Sequence, residues 1–600
     1  MTDEQALALI CRCLPQQHLN QVQEIVFRAS WQGQSYVECA EIHGYSPEYI
    51  KAVGYKLWNL LSLTFKERVT KNNFQSILRQ HLLTHTELKN TQVKSASEEL
   101  TKSQEASWQT EHDLPILKSS QNWGEAADIS EFYGRSEELL TLESWIEQEH
   151  CQLIGIFGMG GIGKTALTSK LAKQIQGKFD FLWWRSLSDA PPLEDLLFDL
   201  IHFLSKGQET KADLPKSIEG RISRLIEYLR SSRAIVILDN GETILGSGNH
   251  ATAYRQGYEG YGVLWKQLGE LDHQSTIVLI SREKPREVEL IEGERLPVRS
   301  LKLCGLKEAE GRAIFDKKGS FSGEEKDWKL LMQLYAGNPL FLKIVASVVE
   351  NLFDSNIGEF IKLSKPNWLV FDEISDLLDC QFNRLSDLEK SVMYWLAINR
   401  EPVSLQELRD DLFLPQEKQK LPDVLRFLER RCLIDKAAPT LIEKSLTNFT
   451  LAPVVMEYVT QRFIEQVCNE IEAEEITLLM SYALIKAKSK ESVRESQKRA
   501  ILIPIVKLVL SLGKSYHNIE CKLNLIFKKI RSSDSPGYAI GNLINLSSQL
   551  NISSNDYDFS QLMIWENEFQ DVKKLSFSQA YRVGTRETCS YSCKYQQAEK

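Results

Sequence analysis

Residues 158–165 of this 600-residue chain read Gly-Met-Gly-Gly-Ile-Gly-Lys-Thr and directly follow the apolar run 153–157. The segment satisfies the phosphate-loop pattern of Gly, four residues, Gly-Lys and Ser or Thr, set between a strand and a helix. Glycines let backbone N–H groups curl around a phosphate, and the N-terminal end of the next helix adds positive potential. The residues expected to contact phosphate are Gly158, Met159, Gly160, Gly161, Ile162, Gly163, Lys164, Thr165 and Ala166. Lys164 would reach the β and γ phosphates, and the Thr165 hydroxyl would bind Mg²⁺.

The same glycines fit a second pattern. Gly158, Gly160 and Gly163 also spell the Gly-x-Gly-x-x-Gly turn of a dinucleotide-binding fold, with Asp180 at a spacing suited to a ribose contact. A plain glycine-rich turn from strand to helix is a third interpretation. Lys164 with the threonine after it favours the phosphate loop, because a dinucleotide fold has no use for an ammonium and a hydroxyl there.

Length and composition set broader limits. Six hundred residues exceed what one hydrophobic core supports, so several domains are expected. The net charge of -9 argues against a protein that coats nucleic acid non-specifically. No signal peptide is apparent, the longest apolar window (500–510) is too short to span a bilayer, and the cysteines lack a convincing zinc spacing. These features favour a soluble, cytoplasmic protein with no membrane contact.

Two further apolar runs end in charged residues. Residues 234–239 have the form of a Walker B strand that ends in Asp239, the expected Mg²⁺ partner of Thr165. Residues 276–281 precede Arg282, whose guanidinium would make charge-assisted hydrogen bonds to a γ-phosphate. An ordinary buried strand and a surface arginine are the alternatives. With the apolar run 181–184, the alternation of strands and helices predicts a parallel sheet covered on both faces.

In this order, the motifs resemble the NB-ARC branch of the STAND signalling NTPases, over about residues 129–460. Tyr133-Gly134-Arg135 is similar to the family motif beside the adenine, and Gly337-Asn338-Pro339-Leu340 to its Gly-x-Pro turn. The resemblance implies an ATP or ADP site with Mg²⁺. Its base would be framed by Tyr133, Gly134, Arg135 and Pro339, and its catalytic residues would be Lys164, Asp239 and Arg282.

The chain departs from the family pattern at two positions. Asn240 follows Asp239 where many relatives carry a second acid that activates water, so a strong base is missing there, although Glu242 could substitute. Slow hydrolysis and long nucleotide occupancy are therefore expected. Leu451-Ala452-Pro453 stands where the family often has Met-His-Asp, and no site residue is assigned there.

The pattern along the chain predicts a multidomain α/β plus α protein. The expected parts are a helix-turn-helix-like module (1–84), a linker (85–128), the P-loop NTPase domain (129–305), a helical domain (306–371), a winged-helix domain (372–460), a helical arm (461–535), a short pentapeptide-like, truncated sensor region (536–578) and a disordered tail (579–600).

Finer predictions concern the winged-helix domain and one loop. Capping boxes begin helices at Ser386 and Ser404, a third helix covers Pro422–Cys432, and strands cover 433–435 and 449–451. Residues 246–262 are predicted to form a mobile surface loop, with a lid over the nucleotide as the alternative.

Residues 19–62 predict a helix-turn-helix, with helices at 21–30, 36–43 and from Ser46-Pro47 to Leu61. The region resembles the N-terminal modules attached to bacterial signalling NTPases, of the vWA-MoxR-associated type. Lys51, Tyr55, Glu48 and Asn59 would face DNA, but basic residues are few. DNA contact through residues 19–62 and docking to a protein therefore both remain open.

The favoured function is a nucleotide-dependent signalling switch in bacterial signalling or defence. An adenine nucleotide would set the arrangement of the lobes, and ATP would promote self-association or binding of a downstream partner. The alternative is a transcription regulator whose helix-turn-helix reads an operator. An ordinary ATP-hydrolysing enzyme is disfavoured, because no acceptor motif accompanies the loop.

Overall fold

The structure is a computed structural model of the chain. It describes scattered residues between 21 and 74, and then 120–126, 129, 132–248, 254–364, 370–437, 447–511, 516–533, 537–552, 563–565 and 581–583. The chain divides into two compact units, residues 1–115 and 116–600.

The first unit contains helix α1, Gln21–Trp31, which confirms the first predicted helix. A reciprocal capping box joins Ser35 and Glu38, where the second helix was predicted to begin. Trp58 packs on Phe74 with ring centroids 4.9 Å apart. Of the four residues predicted to face DNA, Lys51 is exposed, and the other three lie outside the described residues.

A six-stranded parallel sheet organises the second unit, as predicted. Its order is β1-β3-β4-β5-β2-β6. The strands are β1 (Ser120–Asn122), β2 (Leu153–Phe157), β3 (Phe181–Ser186), β4 (Ala234–Asp239), β5 (Thr276–Ser281) and β6 (Val298–Lys302).

Both faces of the sheet are covered, because successive residues of a strand point to opposite sides. Leu153 and Phe157 enter one buried cluster, whereas Ile154 and Ile156 enter another. The helices of this domain are α2 (Ser136–Glu147), α3 (Lys164–Ile175), α4 (Leu193–Leu204), α5 (Ile218–Ser231), α6 (Gly260–Glu270) and α7 (Arg286–Ile291), with short 3₁₀ turns at Gln176–Lys178 and Gly241–Ile244.

The two edge strands were not predicted. β1 lies inside the predicted linker, which is therefore wrong at Ser120–Asn122, where the chain pairs with Phe181–Trp183. Its sequence, Ser-Gln-Asn, has no apolar signal, because two of its three residues are exposed at the sheet edge. β6 has a similarly weak pattern, with one buried residue.

The interpretation of residues 246–262 as a mobile loop is wrong for its described tyrosines. Tyr258 and Tyr261 donate hydrogen bonds to the carbonyl oxygens of Ala190 (2.5 Å) and Pro191 (2.8 Å). Tyr261 is fully buried, and α6 begins at Gly260. These contacts fix the end of the segment to the sheet domain.

Two helical lobes follow the sheet. The first, called the helical lobe, contains α8 (Glu308–Lys318), α9 (Glu325–Leu334), α10 (Pro339–Leu352) and α11 (Ile357–Leu363). The second, called the mixed lobe, contains α12 (Asp372–Phe382), α13 (Asp387–Asn399), β7 (Val403–Ser404), α14 (Leu405–Asp411), α15 (Pro415–Arg430), β8 (Asp435–Ala437) and β9 (Asn448–Thr450).

The mixed lobe confirms both capping boxes, Ser386 with Glu389 and Ser404 with Glu407. The helix predicted at 422–432 instead begins seven residues earlier, at Pro415 in the first turn. Pro422 lies inside this helix, where the apolar face of α15 outweighs the lost backbone hydrogen bond.

Strands β7, β9 and β8 form an antiparallel sheet in which Asp435 pairs with Thr450. The two strands predicted at 433–435 and 449–451 are therefore present, displaced by one or two residues.

Helix α16, Pro453–Ala473, runs through the boundary predicted after residue 460. The chain continues through α17 (Thr477–Ser481), α18 (Glu491–Gln497), a π turn (Lys498–Leu502), α19 (Ile503–Ser511), α20 (Tyr516–Ser533) and α21 (Ala539–Gln549). Helix α21 occupies the start of the predicted pentapeptide-like region, so that prediction is wrong there.

Strand β10, Met563–Trp565, pairs in parallel with β11, Tyr581–Val583. The prediction of a disordered tail is therefore wrong at 581–583. Most of the predicted pentapeptide-like region (536–578) lies outside the described residues. Across the described helices, none combines the length and the hydropathy needed to cross a bilayer.

Candidate functional site

The phosphate loop joins β2 to α3 at the carboxyl end of the sheet. Strand β2 ends at Phe157, and α3 begins at Lys164 with Gly163 as its N-cap residue. Gly163 has a φ of 98°, in the left-handed region that residues with side chains disfavour. The first N–H groups of a helix have no acceptor within it, so the loop presents main-chain donors toward an anion.

Segments from both later lobes press on the loop glycines. A Cβ atom on Gly160 would lie 2.7 Å from Leu377 of α12, and one on Gly161 would lie 2.7 Å from Leu340 of α10. Gly161 also has a φ of 76° and would meet the Cβ of Leu340, so glycine is required there, whereas a side chain at position 160 would force the end of Leu377 to move. The helical lobe and the mixed lobe therefore touch the phosphate loop directly.

Lys164 turns back into the loop. Its Nζ donates hydrogen bonds to the carbonyl oxygens of Gly158 (2.9 Å) and Met159 (3.1 Å). Burial lowers the pKa of this ammonium to about 8, and the nearby Glu242 carboxylate opposes that shift. The lysine thus keeps its charge at neutral pH at the position where the sequence predicts a phosphate contact.

Thr165 and Asp239 lie side by side, as predicted. Thr165 Oγ1 donates to Asp239 Oδ2 at 2.9 Å, and Asp239 Oδ1 accepts from the N–H of Asn240 at 2.8 Å. Burial raises the pKa of the Asp239 carboxyl above its ordinary value.

This pair fits a Mg²⁺ site, because Mg²⁺ takes one or two protein oxygens and completes its shell with phosphate and water. The hydroxyl of Thr165 and the carboxylate of Asp239 would hold the ion. When bound, it supplies positive charge that stabilises the phosphates.

Asn240 is the residue that departs from the family pattern. It adopts a left-handed conformation with φ 63°. Its Nδ2 donates to the hydroxyls of Ser188 (3.0 Å) and Ser186 (3.2 Å) at the end of β3. The side chain therefore fastens two strand ends to each other and presents no carboxylate.

Glu242 grips Arg282 through both of its oxygens. Glu242 Oε2 accepts from the backbone N–H of Arg282 (3.0 Å) and from the Ser281 hydroxyl (3.2 Å). Glu242 Oε1 lies 3.1 Å from Arg282 Nε. The arginine predicted to sense the γ-phosphate is therefore held by a carboxylate from the turn that follows Walker B.

Arg282 also lies against the phosphate loop. A Cβ atom on Gly160 would be 3.4 Å from the central carbon of its guanidinium. The structure thus brings together four of the predicted residues at one edge of the sheet: Lys164, Thr165, Asp239 and Arg282.

The Gly-Asn-Pro-Leu turn reaches the loop through a residue that the sequence interpretation did not single out. Asn338 is 1% exposed, and its Nδ2 donates to the carbonyl oxygen of Gly160 at 2.9 Å. Its Oδ1 accepts from the N–H of Leu340 (3.1 Å) and so caps α10. Pro339 lies beside Gly163, whose added Cβ would be 3.9 Å from its ring.

The Tyr-Gly-Arg motif lies next to the same loop. Arg135 is buried, and its Nη2 donates to the carbonyl oxygen of Ile162 at 3.0 Å. The Arg135 backbone N–H donates to Glu310 Oε1 of the helical lobe (3.3 Å), and Glu310 leaves no room for a Cβ on Gly134. Tyr133 packs against the core of the helical lobes.

A charged group, here called the latch, joins the sheet domain to the mixed lobe. It consists of Glu283, which follows the predicted sensor arginine, and of Arg384 and Arg431 from the mixed lobe. Glu283 Oε1 accepts from Arg384 Nε at 2.7 Å and lies 3.5 Å from Arg431 Nη1.

Arg384 makes three more contacts across this junction. Its Nη2 lies 3.0–3.2 Å from the carbonyl oxygens of Glu242, Leu245 and Gly246. The loop after Walker B and the segment after β5 thus both bind the guanidinium of Arg384.

Sequence analysis did not identify the latch, since Glu283 and Arg384 are 101 positions apart and neither lies in a recognisable motif. Asn338 could have been found, because an asparagine directly before Pro339 has the form of a helix N-cap.

Two family profiles match separate parts of the chain. The NB-ARC domain profile matches residues 137–241. The profile described as vWA-MoxR associated protein N-terminal HTH matches residues 2–81.

Curated relatives match over longer stretches. An uncharacterised WD repeat-containing protein of Nostoc sp. is 44% identical over 494 residues, which cover 75% of this chain and 38% of that protein. The disease resistance-like protein DSC1 of Arabidopsis thaliana is 27% identical over 272 residues, which cover 44% of this chain and 20% of that protein. The chain therefore spans less than two-fifths of either relative.

Among solved structures, a Walker-type ATPase of Pyrococcus abyssi aligns with a TM-score of 0.37 and 16% identity, over 55% of this chain and 96% of its own. The NB-ARC profile match and the parallel sheet with its phosphate loop both indicate a P-loop NTPase domain. Residues 137–241 therefore form an NB-ARC domain of the P-loop NTPase type, and residues 2–81 match the N-terminal helix-turn-helix module of vWA-MoxR associated proteins.

Proposed function

We propose that this protein is an ADP- and ATP-dependent signalling switch in which the bound nucleotide sets the arrangement of the sheet domain, the helical lobe and the mixed lobe. The observation that carries the proposal is the contact of Asn338, Leu377 and Arg282 with one phosphate loop. Asn338 belongs to the helical lobe, Leu377 to the mixed lobe, and Arg282 directly follows β5 of the sheet domain. A phosphate in the loop therefore acts on all three.

The charges around the loop suit this role. Lys164 attracts the phosphates, Thr165 and Asp239 hold Mg²⁺, and Arg282 is free to bind a γ-phosphate only when its pairing with Glu242 weakens. ATP and ADP then differ in whether Arg282 stays with the carboxylate. Because Glu283 is the next residue and belongs to the latch, movement of Arg282 would reach the mixed lobe.

The mixed lobe would serve as the winged-helix domain of the switch, with its helices and antiparallel strands in the corresponding order. In the family, the histidine of the Met-His-Asp motif would contact ADP and hold the closed form, but Leu451-Ala452-Pro453 supplies no histidine at the start of α16. The latch would supply the contact that holds the closed form. The N-terminal module would pass the signal to a partner.

Slow hydrolysis is part of the proposal. Asn240 is engaged with two serines and has no basic group, and both oxygens of Glu242 are occupied. A turnover of about 1–100 s⁻¹, as in kinases, would contradict it.

The proposal is tested by identifying the nucleotide that co-purifies with the full chain and by measuring particle mass with ADP and with a non-hydrolysable ATP analogue. Bound ADP and a change of mass or shape with the analogue are expected. Folded protein that binds neither nucleotide in the presence of Mg²⁺ would refute the switch.

ADP affinity should fall as pH rises above about 8. The pKa of Lys164 is lowered to about 8, so the ammonium is charged below that pH and becomes neutral above it, while the phosphates are already ionised. Kd measured from pH 7 to 9.5 at constant ionic strength should rise by up to about tenfold per pH unit beyond 8. Lys164→Met should bind weakly and show no such pH dependence.

Asn338→Asp should weaken ADP binding by about tenfold, equivalent to ~1.4 kcal/mol. The aspartate keeps the capping oxygen for α10 but loses the donor to Gly160, and it sets a carboxylate against that carbonyl. Asn356→Asp is the matched control, because Asn356 caps α11 through its Oδ1, which accepts from the N–H of Glu359 at 3.1 Å, away from the phosphate loop. Titration calorimetry would measure both variants; equal affinities would contradict the role of Asn338.

Arg384→Gln should release bound ADP at least tenfold faster, because it removes the charge that faces Glu283 and leaves carbonyl groups of the Walker B loop without their donor. Arg426→Gln is the control, since Arg426 pairs with Glu289 at the exposed rim of the same interface. Release of a fluorescent ADP would be followed by stopped flow. Identical rates for the two variants would exclude a special role for the latch.

A further inference from the structure

The left-handed turn at Asn240 directs two side chains to different strand ends. Asn240 itself turns toward Ser186 and Ser188 after β3. Two residues later, Glu242 turns toward β5, where it meets Ser281 and Arg282. The turn after Walker B therefore presents the amide of Asn240 to the end of β3 and the carboxylate of Glu242 to the end of β5.

The turn is held tightly against β5. A Cβ atom on Gly241 would lie 2.8 Å from Leu279 and 3.2 Å from Ser281, so the backbone approaches the strand as closely as glycine permits. This packing fixes where the Glu242 carboxylate can be. The carboxylate is 12% exposed, whereas the guanidinium side chain of Arg282 is 31% exposed.

Glu242 is also close to the phosphate end of the site. It pairs with Arg282, whose guanidinium carbon would lie 3.4 Å from a Cβ atom on Gly160 of the phosphate loop. Asp239 is committed to Thr165 and to the Asn240 N–H. Asp239 is therefore the carboxylate placed to hold Mg²⁺, which leaves Glu242 available for another role.

In the present arrangement Oε1 of Glu242 faces Arg282 Nε and Oε2 accepts two hydrogen bonds, so an attacking water has to compete with the guanidinium for Oε1. A γ-phosphate offers Arg282 a stronger anion than one carboxylate does. Transfer of the guanidinium to that phosphate would free Oε1 while the backbone N–H of Arg282 still holds Oε2.

We propose that Glu242 is the general base of ATP hydrolysis in this protein and that its pairing with Arg282 withholds it until a γ-phosphate takes the arginine. The inference rests on the proposed function, and it assigns the base that Asn240 does not supply. Glu242 accepts a proton from water as the water oxygen bonds to the γ-phosphorus. The bond from that phosphorus to the β–γ bridging oxygen breaks, ADP leaves with the electron pair, and the proton passes to solvent.

The test compares Glu242→Gln with wild type in two measurements on the full chain. The first is single-turnover cleavage of pre-bound ATP, which should fall at least 100-fold because glutamine cannot accept the proton. The second is the ratio of affinities for a non-hydrolysable ATP analogue and for ADP. This ratio should rise, because the neutral amide no longer competes for Arg282.

Two further variants set the scale. Glu209→Gln is the control for loss of a carboxylate that pairs with an arginine, because Glu209 accepts from Nε of Arg224 in α5 at 2.9 Å. This variant should leave both measurements unchanged. Arg282→Gln should lower the affinity ratio, opposite to Glu242→Gln. If Glu242→Gln fails to melt cooperatively, Glu242→Asp replaces it: the shorter carboxylate keeps its charge but should still slow cleavage at least tenfold.

The outcomes separate the two proposals. Wild-type protein that binds neither nucleotide defeats the switch itself. Wild-type protein that binds both, with equal cleavage by the Glu242 variant or with no cleavage by wild type, leaves the switch standing and overturns the assignment of the base. A Glu242→Gln protein that cleaves slowly and also loses its preference for the ATP analogue would show that Glu242 only positions Arg282, which likewise overturns it.

Discussion

The buried amide of Asn338 makes the geometry of the phosphate loop depend on the helical lobe. One side of the amide caps α10, and the other bonds to Gly160, so the loop and the helix N-terminus cannot move independently without losing a hydrogen bond. Leu377 adds the mixed lobe at the same glycine. The loop is therefore held by segments far along the chain, with Asn338 178 positions after Gly160, and the proposed nucleotide contacts would share backbone atoms with the lobe contacts.

Charge around the loop is balanced before any phosphate arrives. Lys164 and Arg282 face Glu242 and Asp239, two cations against two anions, and burial works against both Lys164 and Asp239 in their charged forms. An incoming phosphate must compete with carboxylates already in place. Such competition favours a ligand with more negative charge, because it offers the arginine a better partner than Glu242. In the proposed switch, the pairing of Arg282 with Glu242 would let the site discriminate between nucleotides that differ by one phosphate.

Local motifs predicted that Lys164, Thr165 and Asp239 lie together at one edge of the sheet, because a phosphate loop and a Walker B strand are continuous in sequence and specify their own backbone. The edge strands, the helix boundaries and the contacts between lobes were harder to predict. Ser120–Asn122 joins the sheet without an apolar residue, and Pro422 suggested a helix start although the helix begins at Pro415. The latch joins Glu283 to Arg384, and no local periodicity records such a distant partner. Prediction therefore failed where a structure depends on tertiary contact and succeeded where it depends on neighbours along the chain.

The guanidinium of Arg384 has a consequence for timing. It serves three carbonyl groups of the Walker B loop from the neighbouring lobe. If the lobes part as proposed, these acceptors lose the same guanidinium together, and among the described residues only the Glu242 carbonyl keeps a second donor, the N–H of Leu245 (3.2 Å); water must then hydrate the others. Rehydration of these carbonyl oxygens would therefore add to the barrier to separation, beside the loss of the ion pair with Glu283 and of the apolar contact of Leu377. Solutes that slow or speed the arrival of water should change the dwell time of the closed form more than its equilibrium population.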